Sequence, residues 1–192
     1  MASHFYAYMA RMKFIKRWGL RRNTHEENDQ EHSLMVAMIA HALAVLRNTR
    51  HAGAVDPGWV ATLALYHEAS EVITGDLASP IKYFNPGIKT AFKGIERLAN
   101  EKLLGYLPED LRAQYAPILF PDELSVEWRI VKAADKISAY VKCLEELGYG
   151  NAEFEKAQGA LLAEIEQTDL PEVRDFMCEF TPSFVLSLDA LN

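Results

Sequence analysis

Apolar residues recur at intervals of three and four along most of the chain, and alternation of apolar with polar positions is scarce. This period is typical of amphipathic helices. Asp29 is a candidate N-cap, Asp56-Pro57 starts a helix and Gly75 ends one. The pattern therefore predicts an all-α protein, a single domain over residues 1–192, with helices at 3–18, 29–48, 57–74, 87–106, 108–115, 122–147, 151–168 and 171–180.

Polar residues interrupt three of these apolar helices. His32 lies near the start of the second helix, and the pair His67-Glu68 lies within the third. Asp135 lies among apolar neighbours in the helix 122–147. A buried carboxylate is costly unless it is paired or binds a metal. Two imidazoles and two carboxylates form a set of four ligands suited to a divalent ion.

Each of these signals also has an ordinary structural explanation. A histidine on a half-apolar helix is often a core residue with satisfied hydrogen bonds, and Asp135 can pair with Lys132 or Lys136. His41 follows His32 by nine residues, which places it on the opposite helix face as a structural or exposed residue. Only the combination indicates a metal site.

The order H…HE…D resembles the H…HD…D signature of the HD-domain phosphohydrolases. Further strings are similar to the bacterial 5′-deoxynucleotidases of the YfbR type, with matching spacing from about Ser3 to Asp189. They are RW (17–18), EN (27–28), EHS (31–33), YHEASEV (66–72), TGDL (74–77), PIKY (80–83), AD (134–135) and AYVKCLEEL (139–147).

This resemblance implies an HD-domain helical bundle with a metal site between helices. It implies that one divalent cation, Co²⁺, Mn²⁺ or a similar transition metal, is bound by His32, His67, Glu68 and Asp135. The implied reaction is hydrolysis of deoxyribonucleoside 5′-monophosphates to deoxynucleosides and phosphate. His32 and Asp135 are expected to contact substrate as well.

The resemblance also assigns roles to four other residues. Glu71 matches a catalytic glutamate, acting as general acid or base, and its position four residues after His67 predicts the same helix face. Arg17 matches a phosphate-binding arginine. Asp76 is expected to accept from the 3′-hydroxyl, and Trp18 to crowd a 2′-hydroxyl.

Position 68 departs from the family signature, because Glu stands there in place of Asp. The additional methylene moves the carboxylate by roughly 1.5 Å, the length of one C–C bond. Three outcomes are open: Glu68 binds the metal through another rotamer or a bidentate mode, metal affinity is weaker, or the chain is an attenuated form.

The composition limits the kinds of partner that the protein can bind. The 192 residues carry 20 Lys and Arg against 27 Asp and Glu, a formal net charge of −7, which argues against binding nucleic-acid polymers. The longest charge-free apolar stretch, residues 33–46, is shorter than the roughly 20 residues that span a membrane. Cys143 and Cys178 form no metal-binding motif, so we expect two reduced core thiols and a cytoplasmic protein.

Two other functions remain open: another HD phosphohydrolase acting on a cyclic nucleotide, a triphosphate or an alarmone, and a nucleotide-binding protein without turnover. The first needs more basic residues, and those expected near the site are few: Arg17, Arg21, Arg22 and Lys82. The family resemblance implies a homodimer. No residue indicates a base preference.

Overall fold

The computed structural model describes residues 2–78, 81 and 84–191. Over these residues it contains helices and no β-strand, which confirms the all-α prediction. The α-helices are α1 (Phe5–Met9), α2 (Asp29–Arg50), α3 (Pro57–Leu65), α4 (Glu71–Thr74), α5 (Pro86–Gly105), α6 (Glu109–Leu119), α7 (Val126–Gly148), α8 (Glu155–Glu166) and α9 (Pro171–Glu179). Short 3₁₀ helices lie at Met12–Phe14, Ala152–Phe154, Thr181–Val185 and Leu188–Leu191.

Side-chain caps explain where the main helices begin. The Asn28 side chain accepts hydrogen bonds from the backbone amides of residues 30 and 31, so Asn28 caps α2 and the prediction of Asp29 was wrong by one residue. Asp56 caps α3 ahead of Pro57, as predicted. Ser125 caps α7, which therefore begins at Val126, four residues later than predicted.

The first predicted helix, over 3–18, is much shorter in the structure. It comprises α1 and the 3₁₀ helix Met12–Phe14, and a loop of residues 15–28 follows. Among residues 3–18, Phe5 and Met12 alone are buried, so few apolar contacts favour a continuous helix. Helix α6, by contrast, is longer than predicted. It runs through Pro117 to the buried Leu119, whereas the sequence predicted a break after residue 115.

The third predicted helix, over 57–74, is broken in the middle. Helix α3 ends at Leu65, residues 66–70 form tight turns, and α4 follows. In the turns the Ala69 amide donates a hydrogen bond to the Tyr66 carbonyl, and the Glu71 amide donates one to the Glu68 carbonyl. Each of these bonds spans three residues, whereas those of an α-helix span four. Apolar periodicity scarcely distinguishes such turns from an α-helix. Gly75, at φ 72°, ends α4 as predicted.

The core holds the helices that position the site. Helices α2 and α7 pack against each other and against α3, while α9 packs on α2 and α8 on α7, around residues such as Leu43, Ile130 and Ile137 that are completely buried. A second cluster packs Ala69 against Leu103 and other side chains of the region from α5 to α6. Ala69 follows Glu68 directly, so this packing fixes the turns that carry the candidate ligands.

Two further findings concern the predictions about membrane spans and cysteines. No helix in the described part of the chain is both long enough and apolar enough to cross a membrane. Cys143 is buried as expected, but Cys178 is exposed, because it lies on the outer face of α9; the prediction of two core thiols was wrong for Cys178.

A buried ion pair attaches the loop of residues 15–28 to α7. Lys142 and Glu146 are 4% and 1% exposed and pair with each other. Glu146 also accepts from the Thr24 amide at 2.9 Å, from the Thr24 hydroxyl at 2.7 Å and from Asn151 at 2.7 Å. Lys142 donates to the His25 carbonyl. Burial opposes ionisation of Glu146, but these hydrogen bonds hold its pKa well below the ordinary value.

We expect Glu146→Gln to lower the free energy of unfolding by about 3–5 kcal/mol, because the buried Lys142 loses its counter-charge. The measurement is denaturant unfolding at neutral pH. Since the pKa of Glu146 is lower in the folded than in the unfolded state, its contribution is complete above about pH 5 and declines as the pH falls. The difference between wild type and Glu146→Gln should therefore narrow in acid.

The control is Glu101→Gln, which removes an exposed pair with Arg97 and should cost at most about 1 kcal/mol. Equal effects of the two substitutions would contradict the structural role of Glu146.

Candidate active site

Three elements bring the predicted metal ligands together. His32 comes from α2, His67 and Glu68 from the turn after α3, and Asp135 from α7. One ligand atom from each of the four lies within 4.8 Å of all the others. His32 Nε2 is 3.1 Å from Asp135 Oδ1, and His67 Nε2 is 3.3 Å from Glu68 Oε1 and 3.8 Å from Asp135 Oδ1.

The chemistry of this set fits a divalent ion. His67 Nδ1 is 2.7 Å from the Ala64 carbonyl, which fixes a proton there, so Nε2, which faces the cluster, is the nitrogen that can bind a metal once it releases its own proton. That Nε2 atom is buried and makes no hydrogen bond of good geometry. His32 Nδ1 lies 3.2 Å from the Ser138 hydroxyl. At metal–ligand bonds of about 2.0–2.2 Å, ligand atoms lie roughly 3–4.4 Å apart, so the observed separations suit one ion.

The charges of the cluster are strongly coupled. Burial alone would lower the pKa of His67, but the carboxylates of Glu68 and Asp135 raise it to about 9. Burial opposes ionisation of Asp135, yet Lys132 holds its pKa well below the ordinary value, with Lys132 Nζ 2.7 Å from Oδ2. Asp135 thus faces Lys132 through one oxygen and the imidazoles through the other, while Lys136 pairs with Glu164.

Two further carboxyl groups, those of Glu71 and Asp29, lie behind the cluster. Glu71, at the start of α4, is 5% exposed and its Oε2 has no hydrogen-bond partner. Burial and the nearby Glu68 raise the pKa of Glu71 to about 12. Because residues 66–70 form turns, the predicted i+4 helical relation of Glu71 to His67 was wrong, although both reach the same site.

Asp29 is a residue of this site that the sequence pattern did not reveal. It is completely inaccessible to solvent, and neither carboxylate oxygen makes a hydrogen bond of good geometry. Burial raises its pKa to about 7, and Arg17 Nη1 lies 4.0 Å from Oδ1. Its only signal in the sequence was its position at a helix start, which a capping role accounted for.

The loop of residues 15–28, named the substrate loop after the expected roles of Arg17 and Trp18, places Arg17 beside the Asp29 carboxylate, with Trp18 directly after it. Burial would lower the pKa of Arg17, but Glu68 and Asp135 raise it above the ordinary value, so the guanidinium stays charged. Trp18 is partly buried, and its ring lies 5.2 Å from that of Phe154. Its φ of 58° is in the left-handed region, where a bulky residue is strained.

Asp76 lies beside the site, and two of the basic residues predicted near it bond to Glu153. Asp76 is exposed directly after Gly75 and lies near enough to Glu71 to raise its pKa. Arg21 and Arg22 both donate to Glu153, at its carbonyl and its carboxylate respectively. Lys82 lies outside the described residues, as do Pro80 and Tyr83 of the PIKY string.

A cavity of about 1000 Å³ opens onto His67 and Glu68. Its wall carries Lys132 and Lys136, the neighbours of Asp135, and four basic side chains that the sequence did not place near the site: Lys89, Lys93, Arg97 and Arg129. Several are paired, as Lys93 is with Glu123 at 2.9 Å. Lys89, Lys93 and Arg97 of α5 lie far from the signature residues in sequence, so only the tertiary fold, in which α5 packs against α4 and α6, brings them here.

The model of a known family, described as 5′-deoxynucleotidase YfbR-like, matches residues 4–184. The chain belongs to this YfbR-like 5′-deoxynucleotidase family. A 5′-deoxynucleotidase of Erwinia tasmaniensis is 50% identical over 191 residues, covering 99% of this chain and 96% of that protein. The resemblance to the HD phosphohydrolases and the YfbR type is thereby confirmed.

Solved structures show the same fold. An HD-domain phosphohydrolase from Listeria innocua superposes with a TM-score of 0.82 at 22% identity, covering 98% of this chain and 91% of the other. An HD phosphohydrolase of cyanophage S-2L, bound to dA and one catalytic Zn²⁺ ion, superposes with a TM-score of 0.66 at 21% identity, covering 93% and 95%. The helical arrangement of the YfbR-like chain is therefore that of HD phosphohydrolases.

We expect His67→Ala to weaken binding of Mn²⁺ or Co²⁺ by more than about a hundredfold, because even the outer partners of metal ligands carry roughly 10–100-fold in affinity. Isothermal titration calorimetry measures the affinity, and circular dichroism should show unchanged helix content. His41→Ala is the control, since His41 lies on the exposed face of α2. Wild-type affinity in His67→Ala would contradict the assignment of the ligands.

Proposed function

We propose that this YfbR-like chain is a divalent-metal-dependent 5′-deoxynucleotidase that hydrolyses deoxyribonucleoside 5′-monophosphates to deoxynucleosides and phosphate. The observation that supports this most directly is the cluster of His32, His67, Glu68 and Asp135 next to the buried Glu71, in a member of this family. A phosphate monoester hydrolyses very slowly in water, so a catalyst must supply a nucleophile and neutralise charge.

The donor set supports a transition metal. Two imidazoles and two carboxylates suit Co²⁺, Mn²⁺ or Zn²⁺ better than an ion that prefers oxygen alone. We propose Co²⁺, Mn²⁺ or a similar ion, held by His32, His67, Glu68 and Asp135. When bound, such an ion lowers the pKa of a coordinated water and polarises a phosphoryl oxygen.

Arg17 would bind and orient the phosphate. Its guanidinium stays charged among carboxylates, and a planar guanidinium can donate to two phosphate oxygens at once. The proposal places the phosphate between Arg17 and the metal ligands, where His32 and Asp135 border it. The cavity that opens onto His67 and Glu68 gives the site access to solvent.

Glu71 would transfer a proton to the leaving group. Because burial and Glu68 raise its pKa to about 12, its carboxyl group holds a proton at neutral pH. The sequence left two roles open for Glu71, general acid and general base, and a protonated carboxyl group favours the acid. In that role Glu71 gives its proton to the departing 5′-oxygen. Asp29, buried nearby with a pKa raised to about 7, keeps a second carboxyl group close to Glu71.

Trp18 and Asp76 would select the sugar. Asp76 is exposed beside α4, and its carboxylate can accept from a 3′-hydroxyl. Trp18 presents a large ring held in one position, which would collide with a 2′-hydroxyl and so favour deoxyribose over ribose. Both roles come from the family resemblance and the placement of these residues around Glu71 and Arg17.

The basic cavity wall favours a second candidate substrate class. The cations there, such as Lys89 and Arg129, could contact additional phosphates of a nucleoside di- or triphosphate. We rank this candidate below the monophosphate because several of these cations, including Lys136, already pair with carboxylates.

The family resemblance also supports two statements about the protein in the cell. We propose that the chain forms a homodimer and acts in the cytoplasm. A mass from light scattering equal to twice the chain mass of 21.7 kDa would support the homodimer.

The proposed activity predicts phosphate release from deoxyribonucleoside 5′-monophosphates, and much less from ribonucleotides, when the protein is incubated with Co²⁺ or Mn²⁺. A panel of mono-, di- and triphosphates with several divalent ions, followed by phosphate detection, measures this. Glu71→Gln should lower the rate by about 10²–10⁴-fold, the usual contribution of a general acid. Faster release from triphosphates would favour the second candidate, and nucleotide binding without release would indicate a protein without turnover.

Glu68 reaches the other ligands as it stands, so we expect Glu68→Asp to lower metal affinity and phosphate release. Aspartate withdraws the carboxylate by roughly 1.5 Å, and a misplacement of about 1 Å can cost on the order of a hundredfold in rate. Metal titrations of both proteins measure the effect, with Glu31→Asp on the exposed side of α2 as control. A large gain in activity would show instead that Glu68 attenuates the site.

A further inference from the structure

One carboxylate oxygen connects the two substrate-loop residues assigned to phosphate and sugar. Glu27 Oε2 accepts from Arg17 Nε at 3.2 Å and from Trp18 Nε1 at 3.1 Å. We propose that Glu27 is a positioning residue that fixes Arg17 and Trp18 relative to each other, so that phosphate binding and sugar selection depend on the same carboxylate. This inference rests on the proposed function, because it uses the roles given there to Arg17 and Trp18.

The backbone holds Glu27 opposite the two residues. The Arg17 amide donates to the Glu27 carbonyl at 3.0 Å, an isolated antiparallel bridge joins Lys16 to Asn28, and the Asp29 amide donates to the Ile15 carbonyl at 3.1 Å. The two ends of the substrate loop therefore run side by side at the start of α2. This pairing brings Glu27 next to Arg17 although ten positions separate them in the chain.

The contact with Arg17 leaves the other guanidinium nitrogens for a ligand. The Arg17 and Glu27 side chains are each 14% exposed, so their charges interact in a poorly hydrated setting. Glu27 contacts the guanidinium through Nε, while Nη1 lies 4.0 Å from Asp29 Oδ1. Holding the Nε edge orients the outer edge, which is the one a phosphate would contact through two parallel bonds.

The contact with Trp18 offsets an unfavourable backbone conformation. A tryptophan at φ 58° is disfavoured and persists only where its surroundings hold it. Three contacts of the side chain are among those that do so here: the indole N–H bond to Glu27, the ring contact with Phe154 and the Arg21 guanidinium 5.8 Å from the ring. A partly buried indole N–H needs an acceptor, so the ring orientation depends on the Glu27 carboxylate.

The test is Glu27→Gln, which keeps the size of the side chain but removes its charge. We expect KM for a deoxyribonucleoside 5′-monophosphate to rise about ten- to a hundredfold, the scale set by losing a hydrogen bond to a charged group, with a smaller change in kcat. The preference for deoxyribonucleotide over ribonucleotide should fall in the same variant. Glu27→Asp, which keeps the charge but shortens the reach, should change both quantities in the same direction.

The matched control is Glu26→Gln in the same loop. Glu26 pairs with Lys16 at 2.7 Å, but its side chain is 69% exposed and neither residue belongs to the site. Glu26→Gln should keep the wild-type KM and sugar preference. A Glu27→Gln protein with both values unchanged, or with KM raised and sugar preference intact, would overturn the proposal.

A second measurement separates this inference from the proposed function. The indole N–H resonance of Trp18 can be assigned by its loss in Trp18→Phe, and it should shift in Glu27→Gln and stay in place in Glu26→Gln. If wild type releases no phosphate from any deoxyribonucleotide, the proposed function fails, and this resonance still tests the position of the ring. An unmoved resonance in Glu27→Gln overturns the role of Glu27.

Discussion

The structure depends on the burial of negative charge between α2, α4 and α7. Glu68, Glu71 and Asp135 converge there with Asp29, and such groups are costly to desolvate unless a cation or a proton offsets them. Arg17 and Lys132 offset part of this negative charge. Protons on the carboxyl groups of Glu71 and Asp29 neutralise more of it. A divalent ion held by the two imidazoles and two carboxylates would supply the remaining contribution and would be the largest local charge of the site.

The break between α3 and α4 determines how that charge is arranged. A continuous helix would carry His67, Glu68 and Glu71 along one cylinder, whereas the turns at 66–70 let Glu68 approach His67 within 3.3 Å and leave Glu71 behind the cluster. Ala69, packed in the second apolar cluster, holds the turn in place. Apolar packing thus separates the group that can carry a proton from those that can bind an ion.

Two carboxylates hold the substrate loop over this site without a regular element. Glu146 attaches the middle of the loop to α7, and Glu27 connects Arg17 with Trp18 near its start. Because neither contact requires a helix within the loop itself, the loop can keep a strained tryptophan and a half-buried arginine in fixed positions. The net charge of −7 is therefore compatible with an anionic substrate, since the positive charge is local.

The sequence alone determined the all-α class, most helices and the identity of the four clustered residues, because apolar periodicity records which faces are buried and polar interruptions such as Asp135 are costly without a function. Only the tertiary structure decided that α3 ends at Leu65, that Asp29 is buried and that Glu27 serves two donors. Periodicity does not distinguish an α-helix from successive turns, and contacts between distant segments depend on how the helices pack.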